Sequence, residues 1–203
     1  MSSLISTQTE HADQVFKDVH LERVQLVSSE FYDCTFVRCS FAESVLRDCR
    51  FASCTFQACD LSLAQVLNCA FSATRFEDSK VIGINWTRAD WSATRLQRPI
   101  GFFKCSISHS TFIGLSLRQI QIKDCVAMDV DFREADLSRA DLTGTELSDS
   151  LFSNTNLTEA DLSGAHNYHI DPKQNTLKQA KFSLPEAISL LYSLGIILVD
   201  EEA

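Results

Sequence analysis

The chain has 203 residues, with 27 acidic against 18 basic side chains, a formal net charge of −9, eight cysteines and six glycines. No apolar run approaches the roughly eighteen residues that a membrane helix needs. The opening MSSLISTQTEHADQVF has neither a basic segment nor an apolar core, so the expectation is a cytoplasmic protein with no membrane and no direct nucleic-acid partner.

After a lead-in over residues 1–13, a large apolar residue recurs every fifth position. The series runs from Phe16, Leu21, Leu26, Phe31, Phe36 and Phe41 to Trp86, Trp91 and Leu96, with a small residue usually two places before each. Neither the helical period of 3.6 nor the strand period of 2 gives this spacing. If both marked positions point inward and the other three face water, four short sides close a square turn of twenty residues. Stacked turns then pair as parallel ladders about 4.8 Å apart, each burying its apolar groups only against its neighbours. The predicted fold is all-β: a quadrilateral parallel β-helix over 14–165, about seven to eight coils, followed by a short C-terminal helix and strand. One step, from Leu96 to Phe102, is six residues long and reads as a one-residue slip. It contains Pro99 and Gly101 and follows Trp86 and Trp91, so a local bulge or widened coil is expected, since a tightly packed square has little spare volume for indole. The five-residue spacing resumes at Ile107 and runs to Leu162.

Cys34, Cys39, Cys49, Cys54, Cys59, Cys69, Cys105 and Cys125 all occupy the small inward position. Neighbours five apart lie on different walls, which argues against a tetrahedral metal site. Pairs twenty apart stack with parallel side chains, poorly aimed for a disulfide. They read as buried thiols acting as small hydrophobes. His166 and His169 read as loop residues rather than metal ligands. No cofactor or metal is expected, and no nucleophile elbow, P-loop or zinc-protease motif occurs, so no enzyme activity is expected.

Residues 124–161 concentrate charge: Asp124, Asp129, Asp131, Glu134, Asp136, Asp141, Glu146, Asp149, Glu159 and Asp161 stand against Arg133 and Arg139. Spread over about two coils, this approaches the charge density of duplex DNA, about one per 1.7 Å. The preceding stretch, 75–123, is basic through Arg75, Lys80, Arg88, Arg95, Arg98, Lys104, Arg118 and Lys123. The plain alternative for the acidic stretch is a solvated surface that keeps rods apart.

Residues 166–182 read as a loop and a partial last coil, in which Leu177 and Phe182 keep the spacing. Residues 183–203 form a terminal module. Ser183 and Glu186 read as a capping box, Pro185 suits a first helical turn, and Ala187, Leu190, Leu191 and Leu194 form an apolar face. Gly195 closes the helix before a strand over 196–199. Leu184, Ile188, Leu191, Ile196, Ile197, Leu198 and Val199 are more apolar surface than one rod end requires. Either the module only caps the rod, or it caps the rod and also joins two copies about a two-fold axis.

Ala135-Asp136-Leu137, Ala140-Asp141-Leu142 and Ala160-Asp161-Leu162 resemble the A-(D/N)-L-x-x repeat of the pentapeptide-repeat family, whose fold is a right-handed quadrilateral β-helix. The terminal order Asn167-Tyr168-His169-Ile170-Asp171-Pro172, then Phe182-Ser183-Leu184-Pro185-Glu186-Ala187 and Leu194-Gly195, is similar to one subgroup. So is GINWTRADWSATRLQRPIGFFKCSIS in the middle of the chain. That subgroup holds the albicidin- and microcin-immunity proteins, with the Qnr quinolone-resistance proteins more distant. The resemblance implies a tail-to-tail homodimer whose acidic rod imitates DNA, binds DNA gyrase or topoisomerase IV, and opposes topoisomerase poisons. Many Qnr proteins carry inserted loops needed for protection. The sequence shows no insertion beyond one residue, which favours peptide-toxin immunity. A scaffold with no topoisomerase partner is the alternative.

Overall fold

The computed structural model describes residues 7–92 and 100–199. The five-residue spacing becomes four walls. On the first, Glu10–Ala12, Glu30–Tyr32, Arg50–Ala52 and Ala70–Ser72 pair in parallel. On the second, Val15–Lys17, Thr35–Val37, Thr55–Gln57, Arg75–Glu77, Gly101–Phe103 and Gln121–Lys123 do the same. The third is a run of single bridging residues, His20, Ser40, Asp60, Lys80, Ser106, Val126, Glu146 and His166. The fourth begins with Gln25–Val27, Val45–Arg47 and Gln65–Leu67. The result is a parallel β-solenoid of about eight turns. It reaches back before residue 14, because Glu10–Ala12 already pairs with the next coil.

The large inward residues are buried along the whole rod. Coil stacking puts like on like: Phe16, Phe36, Phe56, Phe76 and Phe102 form one column, their rings stacked 5.0, 4.6, 4.8 and 5.3 Å apart. Trp86, Phe112, Phe132 and Phe152 form another, at 5.8, 5.5 and 5.4 Å. The column spacing follows from the ladder spacing, and each stacked pair adds about 0.5–1.5 kcal/mol to area burial.

The small position has a second task. Where a corner closes tightly, its N–H bonds back to the large residue's carbonyl, as from Ala135 to Phe132 at 3.1 Å and Ala140 to Leu137 at 3.0 Å. Beside three-residue strands the corner is mostly open, and the carbonyl takes its hydrogen from the next coil. The Cys54 thiol donates to the Phe31 carbonyl at 3.4 Å, Cys59 to Phe36 at 3.4 Å, and the Thr74 hydroxyl to Phe51 at 3.0 Å. Beside the ladder pairing of these strands, the thiols and hydroxyls supply a further donor from the next coil. All eight thiols are buried. Burial pushes Cys54 up to about 12. In Cys59, Cys69 and Cys125, the hydrogen bond to the stacked thiol and burial together hold the thiol well above its ordinary range.

Each corner also needs one residue in the left-handed region, such as Asp33, Asp48, Asn68 and Asp78, with φ from 48 to 53°. Asp and Asn tolerate this conformation better than most side chains. Corner geometry therefore recruits acids to the surface, Asp124, Asp129 and Asp149 among them (φ 51, 54 and 57°).

Two expectations are corrected. Phe76 pairs with Phe102, twenty-six residues on, whereas Phe56 pairs with Phe76 twenty residues on. The step is therefore a six-residue excursion and not a one-residue slip; Leu96, Arg95, Arg98 and Pro99 lie outside the described residues. The coil is irregular just before it: Trp86–Arg88 is a 3₁₀ turn, and the Trp91 indole N–H donates to the Trp86 carbonyl at 2.8 Å.

The second correction is at the C-terminus. The coil continues past 165: Tyr168 and Ile170 are buried, and Asp161–Leu162 pairs with Lys181–Phe182. Ser183 and Glu186 form no capping box. The Ser183 hydroxyl accepts from the Gly164 N–H at 3.1 Å and the Glu186 carboxylate from the Asn167 N–H at 2.6 Å. Unpaired donors of the last coil take both side chains, and the helix α1 starts later, at Ile188–Ser193, with Ala187 as a cap that makes no side-chain hydrogen bond. Gly195 closes it at φ 76° as expected, but residues 196–199 form no strand.

Candidate docking surfaces of the rod

The ten acidic residues of 124–161 do not share a surface. Asp136 belongs to the first wall, Asp141 and Asp161 to the second, Glu146 to the third and Asp131 to the fourth, with Asp124, Asp129, Glu134, Asp149 and Glu159 at corners. Most meet a partner one coil away. Asp141 pairs with Lys123 at 2.9 Å, Asp136 with Arg118 at 3.6 Å, Asp161 with Lys181 at 3.0 Å and Glu159 with Arg139 at 2.8 Å. Asp129 meets His109 at 3.0 Å, Glu146 meets His166 at 2.8 Å, and Asp131 meets Arg133 at 2.7 Å. Among the described residues only Asp124, Glu134 and Asp149 of the ten make no ion pair.

The residue before each Leu in the A-D-L copies also organises its corner. The carboxylates of Asp136, Asp141 and Asp161 accept from the N–H two residues on, at 3.0, 3.2 and 3.0 Å. Burial alone would raise the Asp141 carboxyl, but hydrogen bonds from Lys123 and Thr143 outweigh it and hold it low. Glu146 is alike: burial opposes, while Ser148, Asn167 and His166 together lower it. The Arg133 fork lowers Asp131, and the Ser163 hydroxyl leads in lowering Asp161.

The basic stretch is likewise dispersed. Arg118 and Lys123 are spent on the acids above, and Arg75 lies 3.9 Å over the Phe103 ring while pairing with Glu77. That ring folds across Gly101, where a Cβ would come within 2.8 Å of it.

At the C-terminus Leu190 packs on the core, while Leu184, Leu191, Tyr192 and all of Ile196–Val199 are exposed, Ile197 at 86% and Val199 at 84%. Ile188 is half-buried. His169 lines an open depression of about 640 Å³ with Asp149 and Asp171. Among the described residues no three His, Cys, Asp or Glu side chains gather as metal ligands, and no helix is long and apolar enough to cross a membrane.

Sequence reasoning missed the third wall. Its outward positions hold Leu63, Val126 and Met128, 58, 42 and 43% exposed. The signal was present, as apolar side chains at positions the five-residue spacing assigns to water.

A pentapeptide-repeat-region model matches residues 29–99, and a model of pentapeptide repeats in eight copies matches 103–144 and 131–166. The chain belongs to the pentapeptide-repeat family. No curated protein sequence matches it. Among solved structures it is similar to two trypsin-treated forms of QnrB1, a plasmid-mediated fluoroquinolone resistance protein. One is 18% identical with a TM-score of 0.62, covering 94% of this chain and 100% of that one. The other is 21% identical with a TM-score of 0.62, covering 96% and 93%. HetL, involved in heterocyst differentiation regulation in the cyanobacterium Nostoc, is 13% identical with a TM-score of 0.43, covering 88% and 90%.

Proposed function

We propose that this rod is a non-enzymatic protein that binds a type II topoisomerase, DNA gyrase or topoisomerase IV, and protects it from topoisomerase poisons. The observation that carries the reading is the shared fold with QnrB1 over nearly the full length of both chains. The six-residue excursion before Phe102 adds support, since it removes the objection that the coil is uninterrupted. Protection against quinolones and immunity to a peptide toxin are then equally open to it. An acidic rod competes for a DNA-binding surface by offering carboxylates where phosphates sit. Here the contribution falls mainly on Asp124, Glu134 and Asp149, and on Asp129 and Glu146, whose ion-pair partner is a histidine. In this reading the exposed Leu184, Leu191 and Ile196–Val199 join two copies through their C-termini.

A second reading, an interaction scaffold with no topoisomerase partner, draws on the dispersal of the paired acids over four walls, which dilutes any DNA-like field. One experiment separates them: supercoiling by purified gyrase or topoisomerase IV, with and without a poison, at low salt. The first reading expects altered supercoiling or restored activity, weakening as salt rises. Indifference of both enzymes sinks it. Light scattering tests the dimer: removal of residues 184–203 is expected to halve the mass, and a monomeric full-length chain at micromolar concentration overturns that part.

A further inference from the structure

The four walls differ in what they show to solvent. In the C-terminal half the first wall carries Arg118 and Arg139, the second Lys123 and Lys181, and the fourth Arg133, each tied to a carboxylate. Beyond Lys80 the outward positions of the third wall hold no lysine or arginine among the described residues. Among the described residues Asp129 and Glu146 have only histidines as ion-pair partners there, and Asp149 makes no ion pair. Among the described residues none of these three carboxylates meets a lysine or arginine, so this wall carries negative charge without a fixed cation.

The same wall exposes Leu63, Val126 and Met128. Val126 has Ser106 on one side and Glu146 on the other in its column, and Met128 shares its column with Ser108 and Ser148. Leu63 leans across Gly83, where a Cβ would fall 2.6 Å from its Cδ2 atom. Apolar groups flanked by serines and carboxylates form an interface pattern and not a solvated face.

We propose that the third wall is the docking surface of the rod, and that its occupant is a protein helix bearing Lys or Arg on both sides of an apolar row. The charge is complementary to carboxylates that lack a fixed cation. A helix fits better than an added strand, because this wall's backbone already pairs with the coils above and below and offers no free edge. The inference rests on the reading of a basic protein partner and names the face that meets it.

The test uses the full chain with Val126→Lys and Met128→Lys together, against Gln121→Lys on the second wall and Gln65→Lys on the fourth. Binding to gyrase at low salt is expected to fall about tenfold or more in the third-wall variant and to change less than about twofold in the controls. Equal binding by the third-wall variant, or equal loss in the controls, overturns the proposal while leaving topoisomerase binding intact. If the lysine pair fails to fold, the polar pair Val126→Thr and Met128→Gln replaces it with the same expectation. If the wild-type chain does not bind gyrase, the topoisomerase reading fails, and the wall is judged with a synthetic lysine–leucine amphipathic helix. Binding of that peptide with the same variant pattern upholds the docking face; no binding, or binding blind to the wall, overturns it.

Discussion

The N-terminal and C-terminal halves of the rod solve one hydrogen-bonding problem in two ways. Up to Phe76, the columns are rich in Phe, most corners are open, and the inward carbonyls take hydrogen from the next coil, thiols and hydroxyls among the donors. From Phe132 on, Leu replaces most Phe, most corners close on their own N–H groups, and Ala shares the small position with Ser and Thr. Asp before Leu then fixes the corner from outside. The inward carbonyls are thus met mainly between coils in one half and mainly within the corner in the other.

Core changes should blur the distinction most. Leu137→Lys is expected to abolish cooperative folding, because the ammonium has no partner inside a dry coil. Phe56→Ala is expected to cost about 3–5 kcal/mol and Leu137→Ala about 2–5 kcal/mol, both read by urea denaturation. A mild effect of Leu137→Lys would show that the inward register is wrong. Corner chemistry sharpens the comparison at smaller cost. Cys54→Ala removes the thiol's hydrogen bond to the Phe31 carbonyl and part of its packing and should cost about 1 kcal/mol, whereas Cys54→Ser keeps a donor and should cost less. In the other half Asp136→Ala should cost about as much and Asp136→Asn little, since the amide oxygen can still accept from the Ser138 N–H. If serine at 54 is no better than alanine, the donor role of the thiols is wrong.

Acid should produce the smallest difference. Asp131, Asp141, Glu146 and Asp161 are all held below the ordinary carboxylate range. A group whose folded value is depressed lends its stability above the unfolded value, about 4, and loses it as pH falls through the folded one. Hydrogen exchange between about pH 5 and about pH 3 should therefore show the C-terminal coils loosening ahead of the Phe-rich ones. Uniform loosening would count against these carboxylates as local fasteners.

The fold was legible because burial in a stacked coil imposes its period directly on the sequence, so Phe16 to Leu162 declared the walls. What stayed hidden depends on contacts about twenty residues apart. The acidic count over 124–161 left out His109, Arg118, Lys123, His166 and Lys181, which lie beyond that window yet sit one coil from the acids they meet. Ser183 and Glu186 look like a local pair, but the Gly164 and Asn167 N–H groups of the coil below need acceptors more. The excursion was concealed by Leu96, an apolar residue standing where a regular coil would place one; only the pairing of Phe76 with Phe102 reveals it.

That pairing has a consequence for how such a chain accepts new sequence. After the excursion Phe102 returns to the column of Phe76, on the same wall and facing inward. The length of an inserted segment is therefore almost free, while its point of re-entry is not. A segment that re-enters in step leaves every later wall where it was; one that re-enters a residue early or late turns the inward column of each following coil toward water. The rod behaves like text read in a fixed frame, tolerant of whole inserted phrases and broken by a single dropped letter.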